Sequence, residues 1–242
     1  MAMRTDHRPW PVPSKPWIMK QNWNKVLFAH WPMDAGILEP LIPRGLKLDV
    51  FEGRAWIGIV PFYMDGIRGR GLPPIPFLSE FPELNVRTYV TAGGKPGVYF
   101  FSLDAANRMA VKAAKWFYRL PYYFAEISVK QEDTKIIYSC DRADAGGNCR
   151  FDGIYWPVSP QYIAEQGTLD YWLTERYCLY TEHRNRLFRC DIVHEPWQLQ
   201  QAEAVIHHNT MIDLNGITLP ESKPLLHYSE RAEVFTWWLE EV

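Results

Sequence analysis

The chain has 242 residues, of which 47% are hydrophobic and 22% are charged, a composition that excludes intrinsic disorder and supports a sizeable core. The formal net charge is −2 and no long run of Lys or Arg occurs, which argues against nucleic-acid binding through phosphate neutralisation. Aromatic residues make up 15% of the chain, and such side chains suit sheets and pocket walls better than helical bundles.

The N-terminal segment and the cysteines bear on location. Residues 1–17 are polar and Pro-rich and lack the pattern of a signal peptide. No segment is apolar over the length that spans a bilayer, so we expect no membrane partner. Four cysteines in so long a chain do not form a disulfide framework, which favours the reducing cytoplasm. Since no repeat or linker divides the chain, we predict one domain over residues 1–242, including the Pro-rich lead.

Most of the predicted elements are strands, which indicates a mainly β fold with a few helices and an antiparallel or mixed, barrel-like sheet. Apolar runs bounded by Gly, Pro and Asn mark their ends. In chain order the predicted strands are Trp23–Trp31, Leu46–Phe51, Ala55–Met64, Glu83–Ala92, Gly97–Leu103, Phe124–Gln131, Lys135–Asp141, Tyr177–Glu182, Leu187–His194 and Leu226–Leu239.

Helical spacing of apolar residues is rarer along the chain. The clearest case is Asp104–Phe117, where Met109, Ala110 and Ala113 recur on one side. The other predicted helices are Asp34–Leu41, Thr168–Glu175 with Thr168 as its cap, and Leu199–Ile206, which carries His207 and His208 at its end. Gly66–Pro82 is predicted to be a long loop, and Gly146-Gly147 a turn.

One predicted strand carries a polar face. Glu83, Asn85, Arg87 and Tyr89 alternate with apolar residues, so they share one side of the strand. Such a face is able to line a pocket and bind an anion or a carbonyl group. The ordinary alternative is a half-buried strand with a wet outer face, and the pattern by itself favours that alternative.

Two further groups extend the candidate site. Tyr122 and Tyr123 follow the best helix, where their hydroxyls either meet a ligand or cover the helix end. Glu175 and Arg176 lie between a helix and a strand, and we expect them to pair with Arg87 or Glu83 in a buried network that is as consistent with structure as with catalysis.

Cofactor motifs are lacking. The chain has no G-x-S-x-G, no G-x-G-x-x-G after a strand and no phosphate-binding P-loop, so we predict no cofactor. A zinc site at Cys178, Cys190 and His194 is a weak alternative, because no C-x-x-C knuckle is present. We therefore predict no metal.

A series of segments resembles a known family. They are His30-Trp31-Pro32, Gly53–Phe62 (GRAWIGIVPF), Glu83–Val90 (ELNVRTYV), Gly97–Asp104 (GVYFFSLD), Leu120–Tyr123 (LPYY) and Gly167–Tyr180 (GTLDYWLTERYCLY). Together they resemble the YqjF-like family of uncharacterised conserved proteins from about Trp23 to Trp197. That family is similar in fold to acetoacetate decarboxylase, which implies a conical β-barrel that encloses a pocket.

The resemblance also implies a test of the chemistry. The decarboxylase forms a Schiff base through a lysine that a neighbouring cationic group activates. In this chain the corresponding turn, Leu120-Pro121, is followed by Tyr122 and Tyr123 instead of lysines. Because these positions carry no amine, the resemblance disfavours Schiff-base chemistry. Glu83 opens the strand that matches the one carrying an acidic residue of the decarboxylase pocket.

We therefore expect an internal pocket that binds a small anionic or carbonyl-containing organic molecule, with no nucleic-acid partner. The sequence does not decide whether the molecule is converted. The alternative is a non-catalytic structural or interaction protein that self-associates through its aromatic surface. The predicted loop Gly66–Pro82 suits either hypothesis. It would act as a lid over the pocket in the first and as an arm exchanged between copies in the second.

Overall fold

A computed structural model describes residues 5–143 and 149–242 of the chain. Strands dominate it, which confirms the predicted fold class. The strands are β1 (Met19–Met33), β2 (Lys47–Leu48), β3 (Ala55–Gly69), β4 (Phe81–Ala92), β5 (Lys95–Ala105), β6 (Tyr122–Glu132), β7 (Lys135–Arg142), β8 (Arg150–Pro157), β9 (Cys178–His183), β10 (Arg186–Val193), β11 (Leu199–Asn209), β12 (Leu225–Thr236) and β13 (Glu240–Glu241).

Three helices accompany the strands: α1 (Ala35–Leu38), α2 (Arg108–Tyr118) and α3 (Leu169–Thr174), with 3-10 turns at Glu39–Leu41 and Asp213–Asn215. The Asn107 side chain accepts hydrogen bonds from the amides of Met109 and Ala110 and so caps the start of α2. At its other end α2 stops at Arg119, whose backbone is left-handed. As predicted, Thr168 caps α3 by accepting from the Tyr171 amide. None of the described helices is long and apolar enough to cross a bilayer.

The sheet closes twice. One ring of nine strands runs β5-β6-β7-β8-β11-β12-β1-β3-β4 and returns to β5. A second ring of seven strands uses β9 and β10 instead, because β9 pairs with β5 and β10 pairs with β12. The five strands β12, β1, β3, β4 and β5 are therefore common to both rings, and the two interiors lie on opposite faces of this shared sheet.

Alternation along β1 shows how one strand serves both interiors. Leu27 and Ala29 belong to the apolar cluster inside the nine-stranded ring. Val26 and Phe28 point the other way, into the cluster inside the seven-stranded ring. Successive side chains of a strand lie on opposite faces, so a strand buried on both faces is apolar almost throughout.

The strand β4 is also buried on both faces, and this overturns the reading of Glu83–Ala92 as a strand with a wet outer face. Leu84 and Val86 pack in the nine-stranded ring, while the polar side chains face the seven-stranded ring. The strands β9 and β10 cover the polar face of β4 and separate it from solvent. A pattern of alternating polar and apolar residues does not reveal this second layer.

Several predicted elements need correction. Leu199–Ile206 is not a helix but the first part of β11, in which Ala202, Ala204 and Ile206 pack inward with the two-residue period of a strand. Consequently His207 and His208 also lie on a strand. Gly66–Pro82 is only partly a loop, because β3 continues to Gly69 and β4 starts at Phe81.

The remaining differences concern ends and omissions. Asp104 belongs to β5 rather than to the first turn of α2. Leu46–Phe51 contributes only the two-residue strand β2, and β8 was not predicted. The predicted turn Gly146-Gly147 falls outside the described residues. The other predicted strands and helices are confirmed within a few residues at their ends, β1 being extended at both.

Candidate functional site

The strand β4 points three polar side chains into the seven-stranded ring. Glu83 is 2% exposed, Asn85 is 5% exposed and Arg87 is 8% exposed, so all three are removed from bulk water. They line one cavity of about 100 Å³ that every strand of this ring borders. A cavity at this position is what a conical barrel with an internal pocket implies.

The remaining cavity wall is mainly apolar and aromatic. Phe28 and Trp197 contact each other edge to face with ring centroids 4.9 Å apart, and Trp23 stacks on Trp197 at 6.0 Å. Phe62 packs edge-on against Trp23. An apolar cavity with a few convergent polar groups is the usual form of a small-molecule site.

Glu83 is held by one specific partner. The Tyr122 hydroxyl donates a hydrogen bond to Glu83 Oε2 over 2.9 Å. Burial raises the pKa of Glu83 to about 8, an effect that the nearby charge of Asp104 reinforces and the hydrogen bond from Tyr122 opposes. At neutral pH the carboxyl group is therefore mainly protonated, and it offers a proton as well as an acceptor oxygen.

Arg87 brings a positive charge to the cavity wall. Its guanidinium donates at 3.4 Å to the Tyr89 hydroxyl and to the Leu173 carbonyl, and it lies over the rings of Phe28 and Tyr89. No carboxylate pairs with it among the described residues, and its Nε atom is buried without a hydrogen-bond partner there. Because burying a charge without a counterion is costly, an anion bound next to this cation would be favourable.

Three more buried polar atoms of cavity-lining residues lack partners among the described residues. They are the amide oxygen Oδ1 of Asn85, the indole Nε1 of Trp23 and Nη2 of Arg176. Most buried polar atoms in proteins are hydrogen-bonded, and exceptions call for a ligand, water or ion. The cavity lining thus contains an unused acceptor, two unused donors and, in Arg87, a cation without a carboxylate partner.

Behind Arg87 lies a hydrogen-bonded pair that the sequence analysis missed. The Tyr89 hydroxyl accepts from Arg87 and lies 2.6 Å from His30 Nε2. Burial, with the charge of Arg87, holds the pKa of His30 well below its ordinary value, so the imidazole is neutral. The only available signal was the position of His30 two residues after Phe28, on the same face of β1.

Gly58 leaves room for this arrangement. A Cβ atom at Gly58 would lie 3.0 Å from His30 Cδ2 and 3.4 Å from Arg87 Cγ. Only a residue without a side chain lets β1 and β4 bring these groups together across β3.

The other predicted site residues take different places. Arg176 borders the cavity, but its Nη1 donates to Asp49 over 2.6 Å, so its charge is already paired. Glu175 accepts from the Tyr177 hydroxyl and from the Trp197 amide and does not line the cavity. The expected pairing of Glu175 and Arg176 with Arg87 or Glu83 does not occur.

The two tyrosines of the Leu120-Pro121 turn separate. Tyr122 faces the cavity and Glu83, as described above. Tyr123, the next residue of β6, instead stacks under the guanidinium of Arg142 at 4.1 Å and does not line the cavity. Arg142 forms a two-point ion pair with Asp104, at 2.5 and 2.7 Å. Because adjacent residues of a strand point to opposite faces, only one of the pair is able to reach this cavity.

Comparison with known proteins gives the family. The model for the uncharacterized conserved protein DUF2071 matches residues 20–233. The chain belongs to this family. It is 50% identical over 237 residues to the uncharacterized protein YqjF of Bacillus subtilis (strain 168), a match that covers 98% of each chain. The predicted resemblance is thereby confirmed.

Solved structures confirm the fold. Acetoacetate decarboxylase from Legionella pneumophila has a TM-score of 0.64 at 11% identity, over 98% of this chain and 93% of that chain. The enduracididine biosynthesis enzyme MppR in complex with pyruvate also gives 0.64 at 11% identity, over 98% and 93%. At such low identity the likeness establishes the acetoacetate-decarboxylase-like fold and leaves the chemistry to the residues of this chain.

The zinc alternative finds no geometric support in the described part of the chain. Cys178 and Cys190 belong to clusters on opposite faces of the β9–β10 hairpin. Their thiols contact backbone carbonyls, as do the ring nitrogens of His194. No group of three metal-ligating side chains occurs among the described residues.

Proposed function

We propose that this protein binds a small organic carboxylate in the cavity of the seven-stranded ring, with Arg87 as the anion partner. The observation that carries the proposal is a buried guanidinium that borders an apolar cavity and has no carboxylate partner among the described residues. A guanidinium is the side chain best suited to a carboxylate, because it offers parallel N–H donors.

The charges nearby support an anionic ligand. Arg176 is neutralised by Asp49, so it does not compete for the ligand's charge. Glu83 is largely uncharged at neutral pH, since its pKa is about 8, and does not repel an anion. Arg87 therefore leaves the cavity with an excess of positive charge that a carboxylate would balance.

Size and hydrogen bonding narrow the ligand class. The cavity of about 100 Å³ is smaller than an engineered apolar cavity of ~150 Å³ that holds benzene, so the group bound in it is smaller than a benzene ring. The protonated Glu83 carboxyl is placed to donate a hydrogen bond to a carbonyl oxygen. The MppR structure with pyruvate shows that a protein of this fold holds a small 2-oxo acid.

We infer that the ligand is held without a Schiff base. None of the described residues that line the cavity is a lysine. Lys112 and Lys115 project from the solvent side of α2, where both are exposed. Borohydride treatment in the presence of pyruvate should leave the denatured mass of the protein unchanged, and a trapped covalent adduct would contradict this inference.

Binding of pyruvate, compared with its neutral amide pyruvamide, tests the proposal. Trp23 and Trp197 border the cavity, so their fluorescence reports occupancy. We expect pyruvate to bind and pyruvamide to bind far more weakly. In Arg87→Met the affinity for pyruvate should fall at least thirtyfold, because losing a buried charge partner costs about 2 kcal/mol or more.

The matched control is Arg150→Met, which removes an exposed arginine paired with Asp152 at the surface. Thermal unfolding establishes that each variant is folded. Equal affinity for pyruvate and pyruvamide, or unchanged pyruvate binding in folded Arg87→Met, would contradict the proposal.

A second candidate function, self-association, is favoured by an independent observation. Phe77 is 88% exposed and Trp116 is 78% exposed, and Met109 and Phe117 are also exposed on the same helix as Trp116. The Asn107 side chain links this helix to the backbone carbonyl of Phe77. Exposed apolar surface of this kind marks interaction sites.

We infer that the protein is located in the cytoplasm. Its four cysteines are free and buried, as is usual in a reducing compartment.

A further inference from the structure

A second cavity adjoins the first. It has a volume of about 320 Å³ and lies between α2 and the connection from β3 to β4. Five residues belong to the walls of both cavities: Met19, Gln21, Met64, Tyr118 and Tyr122. We call the cavity at Arg87 the inner cavity and the one under α2 the outer cavity. These five shared side chains border both cavities.

The two cavities differ in chemistry. Glu83, Arg87 and Arg176 bring ionisable groups to the wall of the inner cavity, and Asn85 adds an amide. The outer cavity has Ile67, Leu78 and Phe81 on one side and the apolar face of α2 on the other. Charged side chains do not line it among the described residues. A molecule that extends through both would therefore be polar at its inner end and apolar at its outer end.

The face that α2 turns toward the outer cavity explains why space is left there. Ala110, Ala113 and Ala114 recur at helical spacing along this face, with Met109 and Phe117 at its edges. Larger apolar residues at these three positions would fill the gap, as in an ordinary amphipathic helix. The small side chains leave a depression of a size that a hydrocarbon chain occupies.

The shared wall contains two kinds of side chain. Tyr118 is fixed by a hydrogen bond of 3.2 Å to Thr236 Oγ1, and Tyr122 is fixed by its bond to Glu83. Met19 is held only by a long contact of its sulfur with the Tyr118 hydroxyl, at 4.0 Å, and methionine side chains re-pack easily because they are unbranched. Met19 and Met64 are therefore the side chains of the shared wall best able to move aside for a ligand.

We propose that the ligand is an amphiphilic acid, whose carboxylate binds Arg87 in the inner cavity and whose apolar tail passes Met19 and Met64 into the outer cavity. This inference rests on the proposed function and specifies its ligand class. A tail in the outer cavity gains free energy in proportion to the apolar area it buries.

Straight-chain carboxylates from acetate to decanoate test the inference, with tryptophan fluorescence or calorimetry as the readout. Once the chain is long enough to enter the outer cavity, affinity should rise about fourfold per added methylene until that cavity is full. In Ala114→Leu, which fills part of the outer cavity, octanoate should lose at least tenfold in affinity while acetate binding is unchanged. Lys112→Leu is the matched control, because it adds the same side chain on the exposed side of α2.

The outcomes separate the two proposals. Affinity that depends on Arg87 but stays flat from acetate to decanoate would overturn the amphiphile and leave carboxylate binding intact. Octanoate binding that is equally strong in folded Arg87→Met would overturn both, since the head group would then lie elsewhere. A gain with chain length that Ala114→Leu does not reduce would place the tail outside the outer cavity and also overturn the inference.

Discussion

Glu83 and Arg87 lie on the same face of β4, and burial affects their charges in opposite ways. A carboxyl group is able to give up its charge by keeping a proton, and burial drives Glu83 in this direction. Arginine stays protonated in proteins, so Arg87 keeps its charge. One strand therefore presents a neutral hydrogen-bond donor and a cation to the same cavity.

The raised pKa of Glu83 predicts how stability depends on pH. Between its ordinary value of 4.5 and the folded value of about 8, the folded protein keeps a proton that the unfolded chain has lost. The free energy of unfolding should therefore fall as pH rises through this window, by about 1.4 kcal/mol per pH unit from this group. In Glu83→Gln, which carries no ionisable group, this contribution should be absent.

Chemical denaturation from pH 6.5 to 8 measures the difference between the wild-type protein and Glu83→Gln. Burial lowers the folded-state pKa values of His30 and His194, and any contribution that these groups make to the pH dependence cancels in the difference, because both proteins contain them. If the free energy of unfolding changed equally with pH in the two proteins, Glu83 would be ionised in the folded state and its raised pKa would be contradicted.

The strand β5 connects the two rings. It pairs with β4 along most of its length, with β9 near its start and with β6 near its end, the last two in parallel. Gly97 lies where β5 meets β9. A Cβ atom there would lie 2.7 Å from the Cys178 carbonyl oxygen and 2.8 Å from Tyr180 Cε2. Backbone and a buried ring do not move aside easily, so this contact depends on glycine.

Gly97→Ala should destabilise the protein by about 2 kcal/mol through overpacking at the β5–β9 contact. The matched control is Gly69→Ala, where the nearest atom is Leu72 Cδ1 at 3.2 Å, at the end of an exposed side chain. Urea denaturation of the two variants and the wild type measures the change. Equal stability of Gly97→Ala and Gly69→Ala would mean that β9 does not close the ring against β5.

Local patterns predicted most elements but not all. The segment Leu199–Ile206 contains residues of good helix propensity, such as Ala202 and Ala204, yet forms β11 because packing in the nine-stranded ring favours the two-residue period. Asp104 was predicted as a helix start, but its ion pair with Arg142 keeps it in β5. Tertiary contacts decide both cases, and neither contact is visible along the chain.

Of the candidate site, alternation along β4 correctly grouped Glu83, Asn85 and Arg87 on one face. It did not show that this face is buried, because β9 and β10 come from a distant part of the sequence. His30 and Trp23 were also missed as neighbours of the site, since their approach depends on the pairing of β1 with β3. Sequence periodicity gives the direction of a side chain, and only the closed sheet gives what lies opposite.

For the whole molecule, ring closure was implied by the family resemblance and not by the residue pattern. Closure rests on pairings between distant strands, such as β10 with β12 and β5 with β9, and no local signal encodes them. The likeness in fold to acetoacetate decarboxylase therefore carried this part of the prediction, whereas the finding that no described residue of the cavity wall is a lysine belongs to this chain alone.

The exposed apolar surface formed by Phe77 and the α2 residues Met109, Trp116 and Phe117 predicts self-association. If it joins copies of the chain, native mass spectrometry should show a dimer or larger assembly at micromolar concentration, and Trp116→Glu should reduce it to monomers. Val205→Glu is the control, because Val205 is also exposed but lies on β11, away from α2. A monomeric wild-type protein would contradict self-association without bearing on the cavity.

A crystal structure of the protein soaked with pyruvate would show whether Arg87 binds a carboxylate inside the seven-stranded ring. We expect density in the inner cavity, with the carboxylate within hydrogen-bonding distance of the Arg87 guanidinium and the carbonyl oxygen near the Glu83 carboxyl group. An inner cavity without pyruvate at saturating concentration, or pyruvate bound only at another site, would contradict it.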